Sequence, residues 1–221
     1  MKPRAIVLVI LAGLCLSLWV GVGCSQPPAP VAQEIQLPQP KLTGSMSVEG
    51  ALAKRRSVRQ FADRDLTLEQ FGQLAWAAQG ITEPKRGLRT APSAMAAYPL
   101  TVYLVRRDGT FRYLPQGHKL VQVASGDLRA TLAGQPAVQT APLDIVITGN
   151  IAKLQGRSGP RAERFLALEA GHVAQNVALQ ATALGLGALT VGGYDDQQVS
   201  QALHLPAGET PLYILPVGYS K

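Results

Sequence analysis

The chain is poor in cysteine, histidine and acidic residues, and each shortage removes a class of chemistry. Its two cysteines, Cys15 and Cys24, lie near the N-terminus, so everything after residue 24 is without a thiol. That part forms no disulfide and supplies no cysteine nucleophile, zinc ribbon or iron–sulfur ligand set. The histidines His118, His172 and His204 stand far apart, with no carboxylate or second histidine at ligand spacing, so no metal site is expected. His172, inside an apolar helical stretch, reads as a hydrogen-bonded core residue. Gly-x-Ser-x-Gly elbows and Walker sequences are missing, which argues against the common hydrolases and nucleoside triphosphatases. Acids number 14 against 21 lysines and arginines, an excess that suits an anionic ligand or an anionic membrane. The basic residues are scattered (Lys85, Arg86, Arg89, Arg106, Arg107, Arg157, Arg161, Arg164) without an aromatic platform, so nucleic acid is not an expected partner.

What remains is 221 residues with 47% hydrophobic content, enough for one globular domain and an extension. Met1-Lys2-Pro3-Arg4, the apolar run Ala5 to Val22 and Gly23-Cys24-Ser25 read as an export leader over 1–24. The run is also long enough for an uncleaved membrane anchor. Gly21 and Gly23 before Cys24 resemble a lipobox, with Gly21 where leucine is usual, which makes Cys24 a candidate lipidation site. Both outcomes imply a domain tethered to a membrane outside the cytoplasm. The leader has no twin arginine, so export in the unfolded state is expected, with any cofactor acquired afterwards. Residues 25–45, rich in proline (Pro27, Pro28, Pro30, Pro38, Pro40), read as an extended spacer, and 46–221 as the folded domain.

Within that domain the pattern predicts helices over Met46–Lys54, Thr67–Gln79, Ser125–Leu132 and Arg161–Leu184. Thr67-Leu68-Glu69-Gln70 has capping-box spacing. Strands are expected over Leu100–Val105 and Thr110–Leu114, around an Asp108-Gly109 turn, over Leu143–Thr148 as a central strand, and over Pro211–Val217 at a C-terminal edge. The long helix carries so many apolar residues that it should be mostly buried. Gly171 in its middle suggests close approach of another backbone, such as that of a second subunit, and Gly185-Leu186-Gly187 ends it. Helices and strands mix without regular alternation, which gives an α+β class.

Three segments could carry chemistry. Arg55-Arg56-Ser57-Val58-Arg59 offers three guanidinium groups and a hydroxyl, a donor set that suits a phosphate dianion. Basic residues at a helix end also simply complement its dipole, and spacing alone leaves both readings open. Thr90 to Pro99, with Pro92, Ser93, Ala94 and Met95, is a run of small residues before a strand, which admits a planar ligand or is an ordinary loop. Gly192-Gly193 can present backbone N–H groups, and Asp195 can cap a following helix. The glycines here follow a helix and lead to a strand, the reverse of a dinucleotide fingerprint.

Taken in register, Lys54 to Phe61, Pro92-Ser93-Ala94 with Tyr98-Pro99-Leu100, Leu168 to Asn176, Gly185-Leu186-Gly187 and Val191 to Asp195 resemble the nitroreductase superfamily. Within it they look most like the SagB-type (azoline oxidase-like) dehydrogenases. The resemblance implies a mostly antiparallel central sheet flanked by helices, and an FMN-dependent oxidoreductase that passes hydride between a small organic substrate and the flavin. It also implies a homodimer, with flavin between the subunits and the long helices in the interface. Arg55, Ser57 and Arg59, with Arg56 beside them, match positions that hold the FMN phosphate and ribityl chain. Pro92 to Met95 would border the flavin ring, and the backbone at Gly192 and Gly193 would face its N5. Met95 stands where the branch has glycine, Arg157-Ser158 where azoline-oxidising members have Lys-Tyr, and Lys221 in place of basic residues that relatives carry further on. A non-catalytic lipoprotein that binds flavin or another ligand is the alternative from a different class. Catalytic side chains and the substrate are left unnamed.

Overall fold

The computed structural model describes residues 33–221. The leader with Cys24, and residues 25–32 of the expected spacer, lie outside the described residues. In chain order the elements are β1 (Glu34–Gln36), α1 (Val48–Lys54), α2 (Leu68–Gln79), β2 (Ile81–Glu83), β3 (Leu88–Arg89), β4 (Leu100–Arg106), β5 (Gly109–Leu114), β6 (Lys119–Ser125), α3 (Arg129–Leu132), α4 (Pro136–Thr140), β7 (Leu143–Asn150), α5 (Ala152–Ser158), α6 (Ala162–Ala183), β8 (Gly187–Ala188), α7 (Asp196–Ala202) and β9 (Glu209–Gly218).

Seven strands form one sheet in the order β1-β6-β5-β4-β7-β9-β8, with every neighbouring pair antiparallel. Side chains alternate across a strand, and here each face meets helices. Val102, Leu104, Ile145, Ile147, Leu215 and Val217 pack with α2 and α6. Tyr103, Val105, Val146 and Ile214 pack with α3, α4 and α7 on the other side. β7 is therefore covered on both faces, which is why Leu143 to Ile147 is apolar apart from Asp144. That aspartate is fully buried, its carboxylate oxygens have no hydrogen-bond partner, and burial raises its carboxyl well above the usual range against the opposing charge of Arg129.

Helix ends follow local chemistry. Thr67 Oγ1 accepts from Gln70 N–H while Gln70 Oε1 accepts from Thr67 N–H, the reciprocal box that the spacing predicts. α6 closes with Leu186 N–H on Ala181 O and Gly185 N–H on Thr182 O, with Gly185 at φ 73°, a Schellman end that a glycine accommodates without strain. Asp195 caps α7 through Gln198 N–H.

Several expectations are corrected. The spacer does not run to residue 45: β1 pairs with β6, and Leu37 is 2% exposed. Pro38 O accepts from His118 Nε2, and Lys41 exchanges backbone hydrogen bonds with the Gln73 amide. One apolar anchor and a ladder outweigh the proline content. His118, hydrogen-bonded also to the Tyr113 hydroxyl, is the buried histidine, whereas His172 is exposed. The helix expected from Ser125 starts at Arg129, because Lys119–Ser125 is strand. β9 is not an edge, since β8 pairs outside it. α6 buries one stripe, Leu166, Ala170, Val173, Ala174, Val177 and Ala181, while Leu168 on the opposite side is 54% exposed and a Cβ on Gly171 would meet nothing within 4 Å. In a single chain the helix is buried along that stripe and open on the other side.

Candidate functional site

α1 stops at Lys54, and Arg55 turns to extended backbone at φ −52°, ψ 125°. From there the chain lies along the end of the sheet. Ser57 bridges Ala188, and Val58 N–H donates to Ala188 O at 3.0 Å. Phe61 bridges Ser220, Ala62 N–H donates to Tyr219 O, and Lys221 N–H to Gln60 O at 3.2 Å. A Cβ on Gly187 would meet three Val58 side-chain carbons at 2.6 to 2.8 Å, so glycine is what lets this segment dock. Val58 turns its side chain onto Gly187, while Ser57 and Arg59 are exposed and Arg55 is half-buried. Arg56 turns back, its Nη1 donating to Ala53 O and Arg55 O. The helix-end role open to all three arginines is thus taken by Arg56 alone. Arg55, Arg59 and the nearby Lys221 form no ion pair among the described residues.

Pro92 to Met95 lies elsewhere. Ser93 Oγ accepts from Tyr98 N–H at 2.8 Å, and Met95, Ala96 and Tyr98 all hold positive φ, 56°, 50° and 46°. L-residues take this region at a cost of about 1–2 kcal/mol each, so the loop is held in shape by its surroundings. Arg157 Nη1 donates to Met95 O, Asn176 Nδ2 to Thr90 O, and the Arg89 guanidinium stacks 4.4 Å from the Tyr98 ring centre. Beneath it is Glu169, 2% exposed. Burial raises its carboxyl above the ordinary glutamate range, opposed by Ser93, Gln79, Arg89 and Lys153 around it. Sequence reasoning did not pick out Arg89, Gln79 or Glu169: an isolated basic residue and a mid-helix glutamate carry no sign of burial.

Gly192 and Gly193 follow the bridge between Val191 and Ile214 and are exposed. A Cβ on Gly193 would meet nothing, and one on Gly192 only the Tyr213 ring at 3.6 Å. Packing does not demand glycine at either position, and both leave their backbone open to a ligand. Gly193 O accepts from Gln135 Nε2, which fixes the turn.

The sequence-predicted residues therefore fall into two groups within one chain. Arg55, Ser57, Arg59 and Lys221 gather just past the C-terminal end of α6, around Ala188. Pro92 to Met95 sits over Glu169, in its first half. The 15 residues of helix from Glu169 to Ala183 span about 22 Å at 1.5 Å per residue. Gly192 and Gly193 lie between, beside Tyr213 of β9.

The Nitroreductase family profile matches residues 52–219. A Methanocaldococcus jannaschii protein that bears the nitroreductase name is 37% identical over 195 residues, 84% of this chain and 96% of its own. A solved structure under the same name, from Ralstonia eutropha JMP134, superposes with a TM-score of 0.81 at 32% identity, covering 87% of this chain and 92% of that one. A chain of the E. coli microcin synthetase McbBCD complex, solved with truncated pro-MccB17 bound, shares the fold with a TM-score of 0.69 at 24% identity, over 76% of this chain and 70% of that one. By sequence over most of its length and by fold, the chain belongs to the nitroreductase family of oxidoreductases.

Proposed function

We propose that the protein is an FMN-dependent oxidoreductase that works as a homodimer, exported and held at a membrane through its N-terminus. The observation that carries the cofactor reading is the set of half-buried Arg55 and exposed Ser57 and Arg59 near Lys221, its cations without a carboxylate partner among the described residues, on a backbone fixed by β8 and the last residues of the chain. Guanidinium groups, a hydroxyl and an ammonium are the donors a phosphate monoester needs. FMN, when bound, supplies hydride exchange at its N5.

The chain contributes placement. The arginine row holds the phosphate, the open backbone of Gly192 and Gly193 faces the ring edge, and the pre-shaped Pro92 to Met95 loop covers the ring and excludes water. Since one chain keeps that loop about 22 Å of helix away from the arginine row, the complete site takes the loop from a second copy. The outward stripe of α6, with Leu168 and Gly171, is the surface for it. Within the family the motif pieces point to the SagB-type branch. Arg157 stands at the position of that branch's Lys-Tyr pair and is bonded to Met95 O, so substrate oxidation here proceeds without a base at that position. The leader and Cys24 support the membrane attachment.

Purification of the full chain tests the reading. A yellow protein is expected, whose extracted chromophore has the mass of FMN and whose absorbance bleaches anaerobically with a donor and returns with an acceptor. A colourless protein that FMN does not reconstitute overturns it.

A further inference from the structure

β4 and β5 pair from Tyr103–Arg112 to Arg106–Gly109. Beyond that register both continue as strands, Leu100–Val102 and Tyr113–Leu114, bonded to their outer neighbours and not to each other. A cleft of about 240 Å³ lies where they part, lined by both strands and by Gln79, Arg89, Tyr98 and Lys153. Three of its nitrogen donors, Gln79 Nε2, Arg89 Nε and Arg112 Nε, are buried and have no acceptor. Buried donors are almost always satisfied in native proteins, so three around one cavity require something that brings acceptors. Neither Arg112 nor Lys153 forms an ion pair among the described residues.

Among the side chains of the lining, the acceptors are largely taken. The Tyr98 hydroxyl accepts from Arg89 N–H, and the Tyr113 hydroxyl is bonded to His118 Nδ1. Gln79 Oε1 is taken by Arg89 Nη1. Glu209, across Tyr103 from Arg112, is bound by Tyr103 and Thr148. Glu169, behind Gln79 and within reach of the charges of Arg89 and Lys153, leaves both carboxyl oxygens unpartnered but is pushed by burial toward its neutral form, so the acceptor that remains for Arg112 and Lys153 must come from a ligand. Leu100, Val102, Leu114 and Pro115 supply apolar wall. At about 30 Å³ per water, the space equals roughly eight waters, the size of a compact organic acid.

We propose that this cleft is a binding site for a small organic carboxylate, held by Arg89 and Arg112 with Lys153 at its mouth. An ionised carboxylate has acceptors only, and a guanidinium engages it through paired N–H bonds. The carbon body lies on the leucine, valine and proline wall, which distinguishes the ligand from an inorganic anion. The site is built by one chain and does not rest on the flavin reading.

Calorimetric titration of the purified full-length chain with succinate, and separately with inorganic phosphate, tests it. Succinate is expected to bind saturably, once per chain, and Arg112→Gln and Lys153→Gln each to weaken it about tenfold or more, the loss typical of a charged hydrogen bond. Arg55→Ala should leave succinate binding unchanged whatever it does to flavin. Absence of saturable binding, or binding that survives both substitutions, overturns the proposal. Phosphate binding as tightly as succinate overturns the carboxylate class. Should Arg112→Gln fail to fold, the exposed Lys153→Gln carries the comparison alone.

Discussion

At the C-terminal end of α6, charged side chains stand in solvent on a backbone that is tightly fixed; in its first half, polar groups are buried and the backbone itself is strained. The segment that carries Arg55, Ser57 and Arg59 is held by backbone bonds with Ala188, Tyr219 and Lys221. The Pro92 to Met95 loop is shaped by Arg157, Asn176 and the Arg89–Tyr98 stack over a buried glutamate. A phosphate is recognised by charge that can wait in water without cost to the fold. A flat ring needs a surface whose form is settled before the ligand arrives, and that form is maintained by strain and desolvation. The first end should therefore lose charged side chains with little effect on stability, whereas the second should respond to changes in its buried groups.

The strongest way to break this contrast is at the exposed end. Replacing both Arg55 and Arg59 by alanine should weaken FMN by about a hundredfold or more, since charged hydrogen bonds contribute roughly 1.5–3 kcal/mol each, with the thermal midpoint of the flavin-free protein unchanged. Retained affinity in a flavin titration would remove the phosphate assignment. Gly187→Ala attacks the backbone beneath the same row. The added carbon collides with Val58, so a loss of about 1–3 kcal/mol in chemical denaturation is expected, together with weaker flavin binding.

At the buried end the expected effects are smaller and depend on pH. Glu169 has a folded-state pKa raised above its ordinary value of 4.5, so the fold binds the proton better than the unfolded chain. Stability therefore falls as pH rises from about 4.5 through the raised value, and levels off above it. Glu169→Gln should flatten that slope in thermal midpoints measured across pH, and a slope unchanged by the substitution would place the titration elsewhere. His118 runs the other way. Burial depresses its pKa, so the unfolded chain binds the proton better and stability falls as pH drops below about 6.5. Hydrogen exchange at β1 and β6 should quicken there first, because Pro38 O is bound by the His118 ring. The smallest change is Met95→Gly, which relieves a φ of 56° and should gain less than about 1 kcal/mol once glycine's unfolded-state entropy is counted.

The elements with a local signal were legible in the sequence: the Thr67 box, the Asp108-Gly109 turn, the buried run at Leu143, the Gly185 stop and the Asp195 cap. The arginine row was legible as donors, but not its geometry, because the partners that align it, Ala188 and Tyr219, are more than a hundred residues away in the chain. β1 was hidden by prolines on either side of Leu37, and β6 by Gln122 and Ser125 in a half-exposed strand. Which of His118 and His172 is buried depends on tertiary packing: periodicity puts His172 on an apolar helix, and only the fold shows which stripe faces inward. The three unsatisfied donors of the β4/β5 cleft come from segments that have nothing in common locally.

One of the corrections sets a length. The fold begins at Gln33, whose carbonyl already accepts from Gln122 N–H, and not near residue 46. With attachment at Cys24, the leash is residues 25–32, at most about 29 Å when fully stretched at 3.6 Å per residue. Were Cys24 the membrane attachment proposed above, Gln33 could lie no farther than that from the anchor, so the tether length alone would keep the first strand near the membrane surface.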